Sequence, residues 1–314
     1  MTAPAPILFD CDPGVDDAIA LLLALASPEI EIRAITTVAG NVDGALTSAN
    51  ALRVLALAGC DDIPVHAGCV RPLLGPVWRG KYSGAGGLGG SLLPEPRAKL
   101  APGHAVDAIT ATLEAAIARG ERIDLCVTGP MTNVAVALAR DPGLVAGIAR
   151  VIAMAGAFAQ GGNRTPTAEF NVLADPHAAQ IVLASGAEVV LAPIDLTFQA
   201  LATPARVAAL RAMDGRLTRA AAELIAFYDR NDPARYGAPG GPLHDPCVIA
   251  WLLRPSLFGT RRANVQVELT PGLCYGQTVA DFWSVTDRPP NATVLWTLDA
   301  DGFFELLWSR IAAL

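Results

Sequence analysis

Short apolar runs alternate with helix-period segments through the first two thirds of the chain. Ile7-Leu8-Phe9 reads as a strand and Asp16 to Ala26 as the helix that follows it. The same alternation continues with a strand at Ile30 to Val38, a helix from about Ala45 to Ala58 and a strand at Ile63 to His66. Beyond a long loop come a helix at Ala105 to Ala118, a strand at Ile123 to Val127, a helix at Thr132 to Ala139 and a strand at Val151 to Met154. A helix over Pro176 to Ala184 then leads to a strand at Val189 to Leu191. Strands that alternate with helices, and that are apolar on both faces, predict a mostly parallel sheet covered on each side.

The last third is less regular. Helical patterns cover Pro204 to Tyr228 and Asp245 to Leu253; strands are expected near Val265 to Leu269, Thr278 to Ala280 and Thr293 to Trp296, and a helix from Gly302 to Ile311. No linker-like stretch divides the chain, so the expectation is one α/β domain over residues 1–314, with a mostly parallel central sheet flanked by helices and a Rossmann-like core. Two stretches rich in Gly and Pro, Val70 to Pro96 and Asn231 to Pro242, are long enough to expect functional loops.

Composition narrows the function classes. Hydrophobic residues make up 52% and charged residues 17% of the 314, enough to bury a large core. A net charge of −7, with Arg261-Arg262 the one adjacent arginine pair, argues against a nucleic-acid partner. The apolar run Ala18 to Ala26 is too short to span a bilayer, and the first residues, MTAPAPILFD, lack the basic start of a signal peptide. The six cysteines are scattered without a CxxC pair, as expected for reduced thiols in the cytoplasm.

The strongest chemical signal is Asp10-Cys11-Asp12-Pro13-Gly14-Val15-Asp16-Asp17, at the end of the first predicted strand. Ligands bind at that edge of a doubly wound sheet. An N-cap and the helix dipole account for one or two of these acids, not for four within eight residues. Such a cluster needs a cation or a hydrogen-bond network to offset its repulsion. A set of carboxylate oxygen donors points to calcium or magnesium rather than zinc.

Three weaker segments accompany it: Thr128-Gly129-Pro130-Met131-Thr132-Asn133 at a strand-to-helix turn, Ala168-Glu169-Phe170-Asn171-Val172 after Gly161-Gly162-Asn163-Arg164, and Leu243-His244-Asp245-Pro246 opening a helix. Taken alone, the second reads more readily as an ordinary polar loop, the first reads readily as a plain turn, and the third reads equally well as an Asp N-cap beside an incidental His. The chain has no GxSxG elbow, no P-loop and no GxGxxG after a strand.

Taken together and in order, these segments, with Thr36-Thr37-Val38-Ala39-Gly40-Asn41, resemble the nucleoside hydrolase family of the inosine–uridine-preferring type, over nearly the whole chain. The resemblance implies hydrolysis of the N-glycosidic bond of ribonucleosides, with Ca2+ as cofactor and a homodimer or homotetramer as the assembly. It implies that Asp12, Asp17, Asp245 and the carbonyl of Thr128 hold the calcium, with Asp12 also the general base. Asp16 would bind the ribose diol, Asn171 the 3′ side, and Asn163 and Glu169 the 5′-hydroxyl, with Phe170 beside them in the substrate site. Asn41 would support the catalytic centre, His244 would protonate the leaving base, and Asp10 would stand behind them.

One departure stands out. Many relatives carry a His-Gly pair ahead of a Gly-Leu in the loop after the third strand; here the stretch reads Lys81-Tyr82-Ser83-Gly84-Ala85-Gly86-Gly87-Leu88. Trp78 and Tyr82 are the aromatic candidates to stack on the base in its place. Two rival readings are a haloacid-dehalogenase-type phosphatase, which shares Asp-x-Asp after its first strand, and a non-catalytic nucleoside-binding module.

Overall fold

The computed structural model describes residues 3–91, 93–227 and 233–314. Its strands are β1 (Ala5–Cys11), β2 (Ile30–Thr37), β3 (Val65–Ala67), β4 (Ile123–Val127), β5 (Ile148–Ala153), β6 (Val189–Leu191), β7 (Leu201–Ala202), β8 (Gly241–Pro242), β9 (Phe258–Val267), β10 (Thr278–Asp281) and β11 (Ala292–Leu298). Nine of them form one sheet in the order β10-β9-β11-β6-β5-β4-β1-β2-β3, and β7 pairs with β8 separately. All pairings from β11 to β3 are parallel; β9 runs antiparallel to both β11 and β10. The expected single α/β domain with a mostly parallel sheet is therefore the fold.

Parallel neighbours require crossover connections, which helices supply here. From β1 the chain winds outward through β2 to β3, then returns to place β4, β5 and β6 on the other side of β1. The direction of winding reverses between β1 and β4, which opens a crevice at their carboxyl ends, the place where such sheets bind ligands.

Strand alternation splits the core between the two faces of the sheet. Ile7 and Phe9 pack with the helices Val15–Leu25, Pro246–Leu253 and Ala300–Ala313. Leu8, between them, packs with Ala105–Arg119, Thr132–Arg140 and Pro176–Leu183 on the opposite face. The helix Val15–Leu25 is buried at all positions but its last, which explains its unbroken apolar run without any membrane role.

Some expectations shift at their edges. The pattern over Pro204 to Tyr228 is two helices, Pro204–Ala212 and Arg216–Phe227, broken at Met213-Asp214-Gly215, where the Thr218 hydroxyl donates to the Met213 and Gly215 carbonyls. Tyr228, and residues 231 and 232 of the second expected loop, lie outside the described residues. The third strand begins at Val65 rather than Ile63, because Pro64 has no N–H to give to a ladder. The strand expected at Val265 starts at Phe258, its first half disguised by the polar run Gly259-Thr260-Arg261-Arg262.

Phe303 is fully buried in the core of the first face. Phe303→Ala is expected to destabilise the fold by about 3–5 kcal/mol, read from the midpoint of denaturant unfolding.

Candidate active site

The carboxyl ends of β1, β2, β4 and β5 converge on the crevice. Asp12 follows β1, Asn41 lies in the turn after β2, Thr128 follows β4 and Met154 follows β5. Backbone bonds lock these ends together: Thr128 N–H donates to Asp10 O (2.9 Å), Val38 N–H to Cys11 O (2.9 Å) and Met154 N–H to Val127 O (2.9 Å).

Asp10, Asp12, Asp16 and Asp17 are all buried, as is Asp245. Each has a distinct set of partners. Asp10 accepts from Thr36 Oγ1 (2.6 Å) and Asn133 Nδ2 (2.8 Å), beneath the crevice. Asp12 Oδ2 accepts the Asn41 N–H (2.6 Å), whereas Asp12 Oδ1 is buried without a hydrogen-bond partner. Asp17 accepts from Gly14 N (2.9 Å), Thr128 Oγ1 (2.7 Å) and Asn41 Nδ2 (3.1 Å). Asn41 also donates to Asp12 O (3.2 Å), so one amide ties two of the carboxylate-bearing segments together.

Close backbone approach shapes this floor. A Cβ on Gly40 would collide with the Asp12 carboxylate, and one on Gly129 would lie 2.8 Å from Asp12 Oδ1 and 2.9 Å from Val38 Cγ1. Both positions need glycine for space.

The electrostatics follow from burial. Desolvation, with the negative charge of Asp17 next, pushes Asp12 well above the usual carboxylate range. Asp245 is raised likewise by burial and then by Asp16, Asp17 and Asp12. Burial raises Asp17 too, against hydrogen bonds that favour its ionised form, and holds Asp10 at about 7. Carboxyl oxygens of Asp16, Asp17 and Asp245 lie within 4.8 Å of one another. A hard cation among them would favour the ionised carboxylates and so oppose these shifts, and an all-oxygen donor set fits calcium or magnesium. This trio differs in one member from the expected ligand set, with Asp16 where Asp12 was placed; Asp12 instead brings its bare Oδ1 to the edge of the same floor.

The wall opposite comes from residues 154–171. Glu169 caps the short helix Phe170–Ala174 and accepts from Asn171 N (2.7 Å), Val172 N (3.1 Å) and Gly156 N (3.2 Å). Burial nevertheless raises it to about 7. Asn171 Nδ2 donates to Thr128 O (2.8 Å) and Met154 O (3.0 Å), so its Oδ1 is the group left to meet a ligand. Asn163 is arranged the other way: its Oδ1 accepts from Phe170 N (2.9 Å), leaving its amide hydrogens as donors. On the third side, His244 Nδ1 lies 2.6 Å from Thr197 Oγ1, and its ring packs at 6.0 Å from Phe198.

These elements enclose one pocket of roughly 670 Å3 of empty space, its mouth included. Asp16, Asn41, Thr128, Asn163, Glu169, Phe170, Asn171, His244 and Asp245 all line it; Asp12 and Asp17 lie beneath. Of the two aromatic candidates, Tyr82 lines the pocket with Lys81, while Trp78 stands behind, its ring 4.8 Å from the Arg164 guanidinium that does line it. Sequence reasoning passed over Asp195, which accepts from Phe158 N (2.8 Å), Ala159 N (2.6 Å) and Gln160 N (3.0 Å) and so anchors the loop bearing Asn163. Its signal was present: an acid just past the end of a buried strand, as at Asp12.

The sequence matches the profile of the inosine-uridine preferring nucleoside hydrolase family over residues 7–305. The chain belongs to that family. Its members are enzymes that hydrolyse the N-glycosidic bond of ribonucleosides. The pyrimidine-specific ribonucleoside hydrolase RihA of Salmonella gallinarum is 44% identical to this nucleoside hydrolase over 98% of each chain. An uncharacterized protein of Schizosaccharomyces pombe is 45% identical over 98% of this chain and 99% of its own. Among solved structures, the plant nucleoside hydrolase PpNRh1 matches with a TM-score of 0.90 at 31% identity, covering 99% of this chain and 100% of its own. The purine-preferring ribonucleoside hydrolase from Gardnerella vaginalis matches with a TM-score of 0.89 at 30% identity, over 98% of each.

Gly129→Ala should keep the fold and move the Asp12 carboxylate. A displacement of this kind costs about 10²-fold in turnover. Steady-state kinetics alongside circular dichroism check it; unchanged kcat would mean that Asp12 needs no such fit.

Proposed function

We propose that this nucleoside hydrolase cleaves ribonucleosides to free base and ribose with calcium as cofactor, Asp12 as general base and His244 as the acid for the leaving group. The carrying observation is the bare, buried Asp12 Oδ1 beside a trio of mutually repelling carboxylates. Neither rival reading accounts for it together with a pocket wall built to meet hydroxyl groups.

Asp17 and Asp245, the Thr128 carbonyl and Asp12 would hold the calcium, with Asp16 beside them. When bound, calcium orients the vicinal hydroxyls and makes an adjacent water easier to deprotonate. Asp16 accepts from the ribose diol. Asn171 presents Oδ1 to the 3′-hydroxyl, because its amide hydrogens are committed to Thr128 O and Met154 O. Asn163 offers donors to the 5′-oxygen while Glu169, fixed by three backbone N–H groups, accepts from it. Phe170 closes that wall. As the C1′–N bond lengthens, positive charge grows on the sugar, and the surrounding carboxylates stabilise it. Asp12 Oδ1 takes the proton from the attacking water, held in place by the Asn41 N–H on its other oxygen. With Nδ1 engaged by Thr197, Nε2 of His244 is the atom that would hand a proton to the departing base.

Pyrimidine ribonucleosides are the first substrates to try, because the 44% identical relative is named for them. The reading includes a cytoplasmic location and a homodimer or homotetramer. No helix among the described residues is long and apolar enough to cross a membrane.

Reducing-sugar release from uridine is expected with calcium present, to vanish after exhaustive chelation and to return on readdition; full activity of metal-free protein would sink the mechanism. Calcium should also raise the thermal midpoint and release protons as it binds, since raised carboxyl pKa values leave the metal-free site partly protonated. Its affinity should therefore climb as pH rises, and titration calorimetry in buffers of different ionisation enthalpy would register the proton release.

His244→Ala should slow uridine by roughly 10²–10⁴-fold and barely touch a nitrophenyl riboside, whose leaving group needs no proton. Equal losses on both substrates would reassign His244 to shaping the site.

A further inference from the structure

The pocket is charged oppositely at its two ends. Its floor is carboxylate, from Asp12, Asp16, Asp17 and Asp245, while two cationic side chains, Lys81 and Arg164, line it from connecting loops. Neither cation forms an ion pair among the described residues, although Asp16, Glu169 and Asp245 line the same pocket. The loops hold opposite charges apart across the cavity.

Arg164 is held from behind. Its guanidinium lies 4.8 Å over the Trp78 ring, a contact that favours the cation without neutralising it. Its turn is closed on itself by Gly162 N–H to Pro166 O (2.9 Å) and Arg164 N–H to Ala168 O (3.2 Å). The Trp78 side is fixed as well. The Arg79 guanidinium donates to Trp78 O (3.0 Å) and Asp43 Oδ1 (2.8 Å), and Gly80 N–H donates to Gly40 O (3.1 Å). Gly80, next to Lys81, packs so closely on the floor that a Cβ there would lie 2.7 Å from Asn41 Oδ1. Yet Arg164 Nε and Trp78 Nε1 are buried donors with no acceptor. Unmet buried donors cost stability, and beside a pocket they mark where an acceptor-bearing ligand belongs.

Breaking a C1′–N bond separates charge in the same sense as the pocket. The electron pair of the bond leaves with the base nitrogen, positive charge grows on the ribose, and the water oxygen adds to C1′ as its proton passes to Asp12. Wherever bond breaking runs ahead of the proton from His244, the base departs as an anion, its charge spread over nitrogen and the ring carbonyl oxygens. We infer that Arg164 and Lys81 meet the base and stabilise this departing negative charge, so that the pocket is suited to uracil-type bases, which present carbonyl oxygens and leave as anions. The inference rests on the hydrolase reading above and gives the base end of that site its chemistry. With the ribose hydroxyls taken by Asp16, Asn163, Glu169 and Asn171, the base is the part of a nucleoside left to reach the two cations. Both side chains only donate hydrogen bonds, which suits carbonyl oxygens. Their attraction is greatest once charge has moved onto the base, so it acts on turnover more than on binding.

Steady-state kinetics of the calcium-loaded full chain on uridine, 5-fluorouridine and 5-methyluridine test this, with Arg164→Gln, Lys81→Gln and the charge-keeping Arg164→Lys. The three substrates are close in shape and differ in how readily the base bears negative charge. Each Gln variant is expected to lose roughly tenfold in kcat on uridine, less than the 10²–10³-fold typical of an enclosed donor because the mouth is open to water. The loss should be smallest with 5-fluorouridine and largest with 5-methyluridine, and Arg164→Lys should recover most of it. A loss of one size on all three bases would make the pair a mere shaper of the mouth and overturn the inference, as would no loss in folded variants. Uridine 5′-monophosphate bound more tightly than uridine by the wild type, with that advantage gone in the Gln variants, would make the pair a phosphate site and overturn it too. Circular dichroism and thermal midpoint check folding; should Arg164→Gln not fold, Lys81→Gln, at an exposed position, carries the test. A wild type that cleaves no ribonucleoside would remove the hydrolase reading and this inference together. A wild type that cleaves uridine, with variants indifferent to the base, would remove this inference alone.

Discussion

Negative charge confined without water is the constraint on which the rest of this structure depends. Five aspartates are buried where β1 and β4 part company. Left alone, that concentration of carboxylates is unfavourable both from desolvation and from mutual repulsion. The fold meets part of the cost with directed donors: the Asn41 and Gly14 amides, the Thr128 hydroxyl, and the Thr36 and Asn133 side chains on Asp10. The remainder is left as raised pKa values and two buried carboxylate oxygens without a donor, Oδ2 of Asp10 and Oδ1 of Asp12, and a divalent cation would offset part of that charge. Under the mechanism proposed above, stability given up locally lets a positively charged transition state find its environment already in place.

Much of the remaining architecture serves to keep that floor rigid. Glycine at positions 40 and 129 lets two other strand ends close against Asp12. Asp195 gathers three successive N–H groups of the loop leading to Asn163. Asp175 does similar work farther out, accepting from Leu73 N (2.9 Å), Thr132 Oγ1 (2.8 Å) and Ala178 N (3.1 Å), and so joins the long loop after β3 to the helices behind the site.

The parallel core was legible because each buried strand is a run of apolar residues bounded by turn signals, and the periods of neighbouring helices do not conflict with it. Asp12, Asp16 and Asp17 were legible as candidates because their motif ends a predicted strand, whereas Glu169, Asn171 and His244 became candidates only through the ordered resemblance; Asp16, Glu169, Asn171 and His244 line one pocket and Asp12 and Asp17 lie beneath it. What escaped was of another kind. The first half of β9 alternates with charged residues on an exposed face and shows no apolar run. Thr197, under His244, is an ordinary threonine until tertiary packing brings it 2.6 Å from the ring. Arg164 stacked on Trp78 links two loops 86 positions apart, a contact that no local pattern encodes.

The floor and the rim of the pocket are built by different means. The floor comes from strand ends fixed by sheet register, where a shift of one residue would turn Asp12 to the other face. The rim comes from Gly80-Lys81-Tyr82 and Asn163-Arg164, both in connecting segments. Ribose is common to every substrate of such an enzyme, whereas the base varies. Relatives named pyrimidine-specific and purine-preferring align with this chain over 98% of its length, so a change of base preference needs no change of fold. It follows that the loops carry the choice, because they can vary without disturbing the register that holds the carboxylates. Lys81 and Tyr82 line the pocket from such a connecting segment, apart from the strand ends that carry the carboxylates.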